Sequence, residues 1–221
     1  MNEHTTQVSR VMIVDDHPIV RHGLAQLIQH ESDLTVCMQA SNIDEARRAV
    51  ADSMPDILIV DLSLGNESGL DLIKDLKGQH PEIRILVLSM HDETFYADRA
   101  LQAGAMGYIM KHEPPDRVID AIRRILDGEV YLSSATSSSL LGRMVGRKNP
   151  PAASPVEVLS DRELQVLGLI GKGLKSRDIA NTLNLSVKTV DSHRERIKAK
   201  LNLPNGMALL QFAIRREIEG E

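Results

Sequence analysis

The chain has 221 residues, of which 42% are hydrophobic and 26% charged, and its formal net charge is −5. These values are typical of a folded protein with one or two domains. The single cysteine, Cys37, excludes an intrachain disulfide framework and suits a reducing compartment. The polar start MNEHTTQVSR is unlike a signal peptide, and no apolar run approaches the roughly 18 residues of a membrane span, so we expect a cytoplasmic protein with no membrane partner.

Short apolar runs alternate with amphipathic segments in the first part of the chain, which predicts five strands and five helices. Several runs are continuous, as expected for strands buried on both faces. The predicted strands are Val11–Val14, Leu34–Met38, Ile57–Val60, Ile85–Leu88 and Tyr108–Met110. The helical patterns cover Pro18–Ile28, Ala46–Val50, Leu70–Leu76, Ala97–Leu101 and Val118–Leu126. Five such repeats predict an α/β fold with a doubly wound, five-stranded parallel sheet.

After Gly128 the pattern changes. Residues 133–145 are compatible with one more helix, and residues 146–155, GRKNPPAASP, have the composition of a linker. The charge also changes, from 12 basic against 22 acidic residues in 1–130 to 11 against 9 in 155–221. The two parts are therefore expected to have different partners.

Beyond the linker the pattern is purely helical and predicts an all-α domain of four helices. Their starts are the capping box Ser160–Glu163, then Ser176, Val187 and a point near Gly206. The third helix, which ends near Leu201, is basic. Two short helices joined by a tight turn, the second of them basic, are typical of a helix-turn-helix.

Three carboxylates follow strands that should be neighbours in the sheet: Asp15 and Asp16 after the first strand, Asp61 after the third. The carboxyl ends of parallel strands share one edge, so these side chains should meet and repel one another. A hard divalent cation such as Mg²⁺ would relieve that repulsion. Ser89 and Lys111 end the fourth and fifth strands at the same edge.

This set of residues suits the transfer of a phosphoryl group to a carboxylate. Asp61 would be the nucleophile, Mg²⁺ and Lys111 would neutralise the phosphoryl oxygens, and Ser89 would hydrogen-bond the group once attached. Any one of these residues could be an ordinary turn, cap or solvated residue. All five at the correct strand ends are far less expected by chance.

Residues 10–128 resemble a receiver domain of two-component signalling, in the segments VMIVDDHPIVRHGL, DILIVDLSLGNESGLDLI, RILVLSM and AGAMGYIMK. The resemblance implies a flavodoxin-like fold with Asp61 as phospho-acceptor. It implies a metal site made of Asp16, with Asp15 assisting, Asp61 and the backbone carbonyl of Ser63. It also implies a switch pair of a hydroxyl and an aromatic ring, Ser89 and Tyr108, in which the ring turns from exposed to buried on phosphorylation.

The segment LSDRELQVLGLIGKGLKSRDIANTLNLSVKTVDSHRERIKAKLNL resembles a LuxR-type DNA-binding domain, and the combination resembles the NarL/FixJ family. The DNA contacts expected by this resemblance, or by basic character on the recognition helix, are Lys188, Thr189, Ser192, His193, Arg196 and Lys200. The dimer contacts implied are Met207, Leu210 and Ile214. Asp191 departs from many members, and it could accept from cytosine N4 or bond within the protein.

The working hypothesis is a transcription regulator that a partner histidine kinase phosphorylates on Asp61. Phosphorylation would favour a homodimer that binds double-stranded DNA, and the protein would not be a turnover enzyme. The expected domains are a receiver (8–130), a linker with one helix (131–156) and a helix-turn-helix domain (157–221).

Two alternatives remain open at this point. A Mg²⁺-dependent phosphohydrolase would use the same strand-end residues, but it generally has an acid two positions after the nucleophile, where this chain has Ser63. A receiver that never takes phosphate would act through protein contacts alone, which the presence of all five site residues disfavours.

Overall fold

The computed structural model describes residues 8–65, 67–144, 155–183 and 185–219. The chain divides into two compact units, Met1–Ser137 and Ser138–Glu221. Among the described residues, no helix is both long enough and apolar enough to cross a bilayer. Residues 146–154 of the predicted linker segment 146–155, and the last residue of the predicted helix 133–145, lie outside the described part of the chain.

The first unit contains the predicted five-stranded sheet, which is confirmed. All neighbouring strands are parallel, in the order β2-β1-β3-β6-β7. The bounds are β1 Ser9–Val14, β2 Leu34–Ala40, β3 Ile57–Val60, β6 Arg84–Ser89 and β7 Gly107–Met110. A two-stranded hairpin that the sequence did not predict, β4 Ser63–Leu64 and β5 Glu67–Ser68, follows β3 directly.

Four helices connect the strands, α1 Pro18–Gln29, α2 Ile43–Ser53, α3 Gly69–Gln79 and α4 Glu93–Ala103, and α5 Pro115–Leu126 follows the last strand. Proline occupies the first turn of α1 and α5, where its missing N–H costs nothing. One buried cluster combines α1 and α5 with alternate residues of the strands, such as Val11, Ile57 and Leu86. Strand side chains alternate between faces, so the remaining buried residues of the strands face α2, α3 and α4. A sixth helix, α6 Ser134–Met144, follows α5.

The start of α3 lies directly against the end of β3. A Cβ on Gly69 would lie 2.1 Å from the backbone oxygen of Asp61 and 2.8 Å from Cα of Leu62. The N–H of Gly69 donates to the carbonyl of Leu62 at 2.9 Å. Only glycine therefore allows this helix to begin so close to Asp61.

We expect Gly69→Ala to lower the free energy of unfolding by about 1–3 kcal/mol, because backbone must move to admit the methyl group. The measurement is urea unfolding of the full chain. Gly78→Ala is the matched control in the same helix, since no atom lies within 4 Å of its added Cβ. That variant should be unchanged or up to about 1 kcal/mol more stable, and equal losses in both variants would contradict the argument.

The second unit is all-α, as predicted. A 3-10 turn at Pro155–Val158 precedes α7 Asp161–Gly171, α8 Ser176–Thr182, α9 Val187–Lys200 and α10 Gly206–Glu219. The predicted capping box is present, since Ser160 Oγ accepts from the N–H of Glu163 and Glu163 accepts from the N–H of Ser160. The core is aliphatic and includes Leu167, Ile179, Val190, Ile197 and Leu209.

Candidate functional site

Two of the predicted carboxylates meet at the carboxyl edge of the sheet. Val14 of β1 pairs with Val60 of β3, so the next residues, Asp15 and Asp61, lie side by side. The N–H of Asp61 also donates to the carbonyl of Val14 at 2.9 Å. Both side chains are buried, with residue exposures of 2% and 3%.

Lys111 lies between these two carboxylates. Its Nζ is 2.6 Å from Oδ2 of Asp15 and 2.7 Å from Oδ2 of Asp61, and its side chain is 6% exposed. Burial alone would lower the pKa of Lys111, but the two carboxylates outweigh burial and raise it. The ammonium group is therefore held in its charged form inside the protein.

The position of Asp61 disfavours its ionised form even though Lys111 lies beside it. Burial raises the pKa of Asp61, and the opposing effect of Lys111 does not cancel the increase. Its second oxygen, Oδ1, is buried and has no hydrogen-bond partner among the described residues. A cation bound at this oxygen would offset the cost of burying its charge.

Asp16 lies beside this pair and is only partly buried. Its Oδ2 accepts from the N–H of Gly65 at 3.0 Å, and its Oδ1 lies 2.7 Å from Nδ1 of His17. Ligand atoms of Asp15, Asp16, His17 and Asp61 all lie within 4.8 Å of one another. The carboxylate oxygens of this group, among them the buried Oδ1 of Asp61 that has no hydrogen-bond partner in the described residues, fit a hard divalent cation such as Mg²⁺.

The two predicted switch residues also lie next to this cluster. Ser89 ends β6, is fully buried, and accepts through Oγ from the N–H of His91 at 3.3 Å. The ring of Tyr108 is 2% exposed, and its hydroxyl donates to the carbonyl of His91 at 2.8 Å. Burial raises the pKa of Tyr108 well above its usual value. We predicted a ring that turns from exposed to buried on phosphorylation, and in this structure the ring occupies the buried position.

His91 is a residue of this site that the sequence analysis missed. Its Nε2 lies 2.9 Å from Oγ of Ser63, and its ring stacks on Tyr96 with centroids 4.8 Å apart. His91, in the loop after β6, thus contacts both the hairpin after β3 and α4. Its position two residues beyond the strand-end serine is the signal that could have identified it.

In the second unit, most of the predicted DNA contacts lie on the outer side of α9. Lys188, Ser192 and Arg196 are exposed, and Thr189 is half-buried. The helix begins at an N-cap, Ser186, whose Oγ accepts from the N–H of Thr189 at 3.0 Å. This side of α9 combines two cations with hydroxyl groups, which suits contacts to phosphates and base edges.

Two other predicted contacts point towards the protein. Nζ of Lys200 lies 2.6 Å from Oε2 of Glu163, a residue that is 3% exposed. His193 is half-buried, and its Nδ1 is buried without a hydrogen-bond partner among the described residues. Burial and the nearby Arg196 lower the pKa of His193. Both side chains are thus positioned to stabilise the packing of α9 on α7.

Asp191 also bonds within the protein. Its Oδ1 accepts from Oγ of Ser176 at 2.8 Å, which joins α9 to the start of α8. On the last helix, Met207 is 63% exposed, Ile214 is 38% exposed and Leu210 is half-buried. The predicted dimer residues therefore include two large apolar side chains on the surface of this unit.

The ion pair of Glu163 predicts how acid affects the second unit. Burial would raise the pKa of Glu163, but Lys200 and the N–H of Ser160 outweigh burial and lower it from 4.5. A carboxyl group with a lowered folded pKa stabilises the protein above its unfolded pKa, and this stability is lost as the pH falls through the folded pKa. The second unit should therefore lose stability as the pH falls below 4.5.

We expect Glu163→Gln to lower the stability of the second unit at pH 7 by about 1–2 kcal/mol and to flatten its dependence on acid. Hydrogen exchange of peptides from α7, followed between pH 7 and pH 3, measures both effects. Glu195→Gln is the control. Glu195 is exposed and pairs with Lys198, which is also on α9, so its replacement should change the stability of the second unit little. An unchanged acid profile in Glu163→Gln would contradict the assignment.

Comparisons with known proteins agree with this geometry. Residues 11–123 match the family described as response regulator receiver domain, and residues 157–213 match the bacterial regulatory proteins of the luxR family. The oxygen regulatory protein NreC of Staphylococcus epidermidis is 36% identical over 214 residues, which are 95% of this chain and 98% of NreC.

Two solved structures of the response regulator RcsB are similar over most of the chain. One, from Salmonella enterica serovar Typhimurium, is bound to promoter rprA in the presence of the phosphomimetic BeF3−. It is 26% identical with a TM-score of 0.60, over 94% of this chain and 98% of RcsB. The other contains two RcsB dimers bound to two parallel DNAs, with 26% identity and a TM-score of 0.57, over 93% of this chain and 98% of RcsB. This chain therefore belongs to the response regulators of the NarL/FixJ type, and it is a DNA-binding transcriptional regulator of a two-component system rather than a turnover enzyme.

Proposed function

We propose that a partner histidine kinase phosphorylates Asp61 in the presence of Mg²⁺, and that this raises the affinity of the second unit for double-stranded DNA. The observation that carries the proposal is the buried group of Asp15, Asp61 and Lys111, in which Oδ1 of Asp61 has no hydrogen-bond partner in the described part of the chain. We expect the protein to be in the cytoplasm, where the DNA that it binds is also found. The proposal assigns 8–130 to the receiver, 131–156 to a linker with one helix, and 157–221 to DNA binding.

In the transfer step, the bond between phosphorus and the nitrogen of the donor histidine breaks. A bond forms between phosphorus and a carboxylate oxygen of Asp61, and the departing imidazole is left neutral by proton exchange with solvent. Lys111 is already beside Asp61 and holds a phosphoryl oxygen as well as the carboxylate. Asp61 must be ionised to react, and the positive charge of Lys111 favours the ionised form.

Asp15, Asp16, Asp61 and the backbone carbonyl of Ser63 would hold Mg²⁺. When bound, the ion neutralises charge on the phosphoryl oxygens during transfer. The unpaired oxygen of Asp61 and the clustering of the ligand atoms support this assignment.

The switch depends on Ser89 and Tyr108. A phosphoryl group brings about −1.5 to −2 charge and three strong acceptors. The hydroxyl of Ser89 would donate to it, and the buried ring of Tyr108 would be held in its inward position behind Ser89. The existing bonds of both residues to the backbone of His91 support a coupled movement of this loop.

The DNA contacts that we propose are Lys188, Thr189, Ser192 and Arg196, because they are at least partly exposed on α9, whereas Lys200 is paired with Glu163 and Nδ1 of His193 is buried. His193 and Lys200 are assigned to packing and to the ion pair with Glu163 instead. Phosphorylation would favour a homodimer through Met207, Leu210 and Ile214. The RcsB dimers on DNA support a dimeric complex for this chain too.

The test is a selection of fragments of genomic DNA by the full chain in Mg²⁺, with and without BeF3−. A defined set of fragments should be enriched, and the recovered fragments should bind more tightly with BeF3−. No enrichment in either state would overturn DNA binding. Equal affinity in both states would overturn the switch and leave DNA binding intact.

Replacing single lysines by alanine should distinguish a lysine that contacts DNA from one that does not. On a recovered fragment, Lys188→Ala should weaken binding and reduce the slope of log affinity against log salt by about 1, because one fewer counterion is released. Lys172→Ala is the control, since Lys172 is exposed at the end of α7, and its slope should not change. The assignment would be contradicted if both variants reduced the slope equally.

A further inference from the structure

The chain leaves the receiver through a segment that pairs with the edge of the sheet. The N–H of Tyr131 donates to the carbonyl of Met106, and the carbonyl of Tyr131 accepts from the N–H of Tyr108, both at 2.9 Å. The side chain of Tyr131 is buried in the cluster shared by α1 and α5. The exit of the chain is thus bonded to the backbone of the switch aromatic itself.

A second anchor lies two residues further on. Oε1 of Glu93, the first residue of α4, accepts from the N–H of Ser133 at 2.8 Å. Glu93 is only 8% exposed. Hydrogen bonds to an ionised group are stronger than neutral ones, and a buried group left without its partner is costly. This bond therefore fixes Ser133 to the start of α4.

Ser133 is also the residue that caps α6. Its Oγ accepts from the N–H of Thr136 at 3.2 Å and lies 3.1 Å from Oγ1 of Thr136. Its carbonyl accepts from the N–H of Ser137 at 2.9 Å. Glu93 thus holds the N-cap of the helix that begins the connection to the second unit.

The other end of this path is the switch. Glu93 follows His91 by two residues, and the backbone of His91 is bonded at its N–H to Ser89 and at its carbonyl to Tyr108. A movement of Ser89 towards a phosphoryl group must therefore move the backbone between residues 89 and 93. The carboxylate of Glu93 would carry that movement to Ser133.

We propose that Glu93 is a positioning residue that transmits the state of Ser89 and Tyr108 to α6 through the N-cap Ser133. This inference rests on the proposed function, because it assumes that a phosphoryl group on Asp61 moves Ser89. Glu93 itself takes no part in phosphoryl transfer.

Hydrogen exchange of the full chain in Mg²⁺, with and without BeF3−, tests the inference. In the wild type, BeF3− should protect the peptides around Asp61 and Ser89 and change the exchange of residues 131–144. In Glu93→Ala, the amides of Thr136 and Ser137 should exchange roughly five-fold faster in both states. The effect of BeF3− on the exchange of residues 131–144 should disappear, while its protection of the peptides around Asp61 should remain.

Glu93→Gln retains an acceptor oxygen and should keep part of the response, and Glu82→Ala, at an exposed position, should keep all of it. A second readout is the ratio of DNA affinities with and without BeF3−, which should fall towards one in Glu93→Ala while uptake of phosphoryl from acetyl phosphate stays normal. A full response of 131–144 in Glu93→Ala would overturn the inference, as would a wild type whose Asp61 region is protected without any change in 131–144. No protection around Asp61 in the wild type would instead overturn the proposed function.

Discussion

An Asp61→Asn variant is expected to take up no phosphoryl group above background, because a carboxamide is not a nucleophile. The affinity of this variant for DNA should then be the same with and without acetyl phosphate. Gel shift of the phosphorylated form and a DNA titration measure the two effects. Asp71→Asn is the matched control, since Asp71 is exposed on α3, and it should behave like the wild type.

The same substitution should make the metal-free protein more stable at neutral pH. Burial raises the pKa of Asp61 in the folded state, so the stability that this group contributes is lost as the pH rises from 3.8 through the raised pKa. At pH 7 the ionised side chain therefore costs stability, and asparagine removes that cost. We expect a higher melting temperature for Asp61→Asn without Mg²⁺ and a smaller rise when Mg²⁺ is added. A lower melting temperature than the wild type would contradict the electrostatic account of the site.

Replacing Lys111 by methionine should have the largest effect on stability. Lys111→Met leaves Asp15 and Asp61 buried without their shared cation, and removing one partner of a buried ion pair costs about 3–5 kcal/mol. The free energy of unfolding should fall by that amount without Mg²⁺, as measured by urea unfolding, and should recover in part when Mg²⁺ is added.

Two further variants show whether charge is the cause. Lys74→Met removes an exposed lysine that pairs with Asp71 and should cost less than about 1 kcal/mol. Lys111→Met combined with Asp61→Asn should be more stable than Lys111→Met alone, because one of the uncompensated charges is removed. Strictly additive losses would show that Lys111 acts by packing rather than by charge.

The residues at the strand ends could be predicted because their positions follow from one-dimensional patterns. Continuous apolar runs locate buried parallel strands, and the residue after each run lies at the carboxyl edge, where Asp15, Asp61, Ser89 and Lys111 are found. The capping box at Ser160 is likewise a local pattern, four residues long.

Contacts between distant parts of the chain could not be predicted in this way. The bond from Glu93 to Ser133 spans 40 residues and the ion pair of Lys200 with Glu163 spans 37. Neither contact produces a periodic pattern in the sequence. A basic helix face looks the same whether a lysine is directed to DNA or to a buried glutamate, so the ion pair of Lys200 with Glu163 was not predicted. The burial of Tyr108 also depends on a bond to His91 that no local pattern encodes.

A phosphoryl group should be taken up on one carboxylate at the acidic edge of the sheet, with help from a divalent cation. Borohydride reduction of the acetyl phosphate-treated full chain marks the residue that carries an acyl phosphate, and peptide mass mapping then identifies it. We expect a mark on Asp61 in Mg²⁺ and none after chelation. A mark on another residue, or equal labelling of Asp61 without any divalent cation, would contradict it.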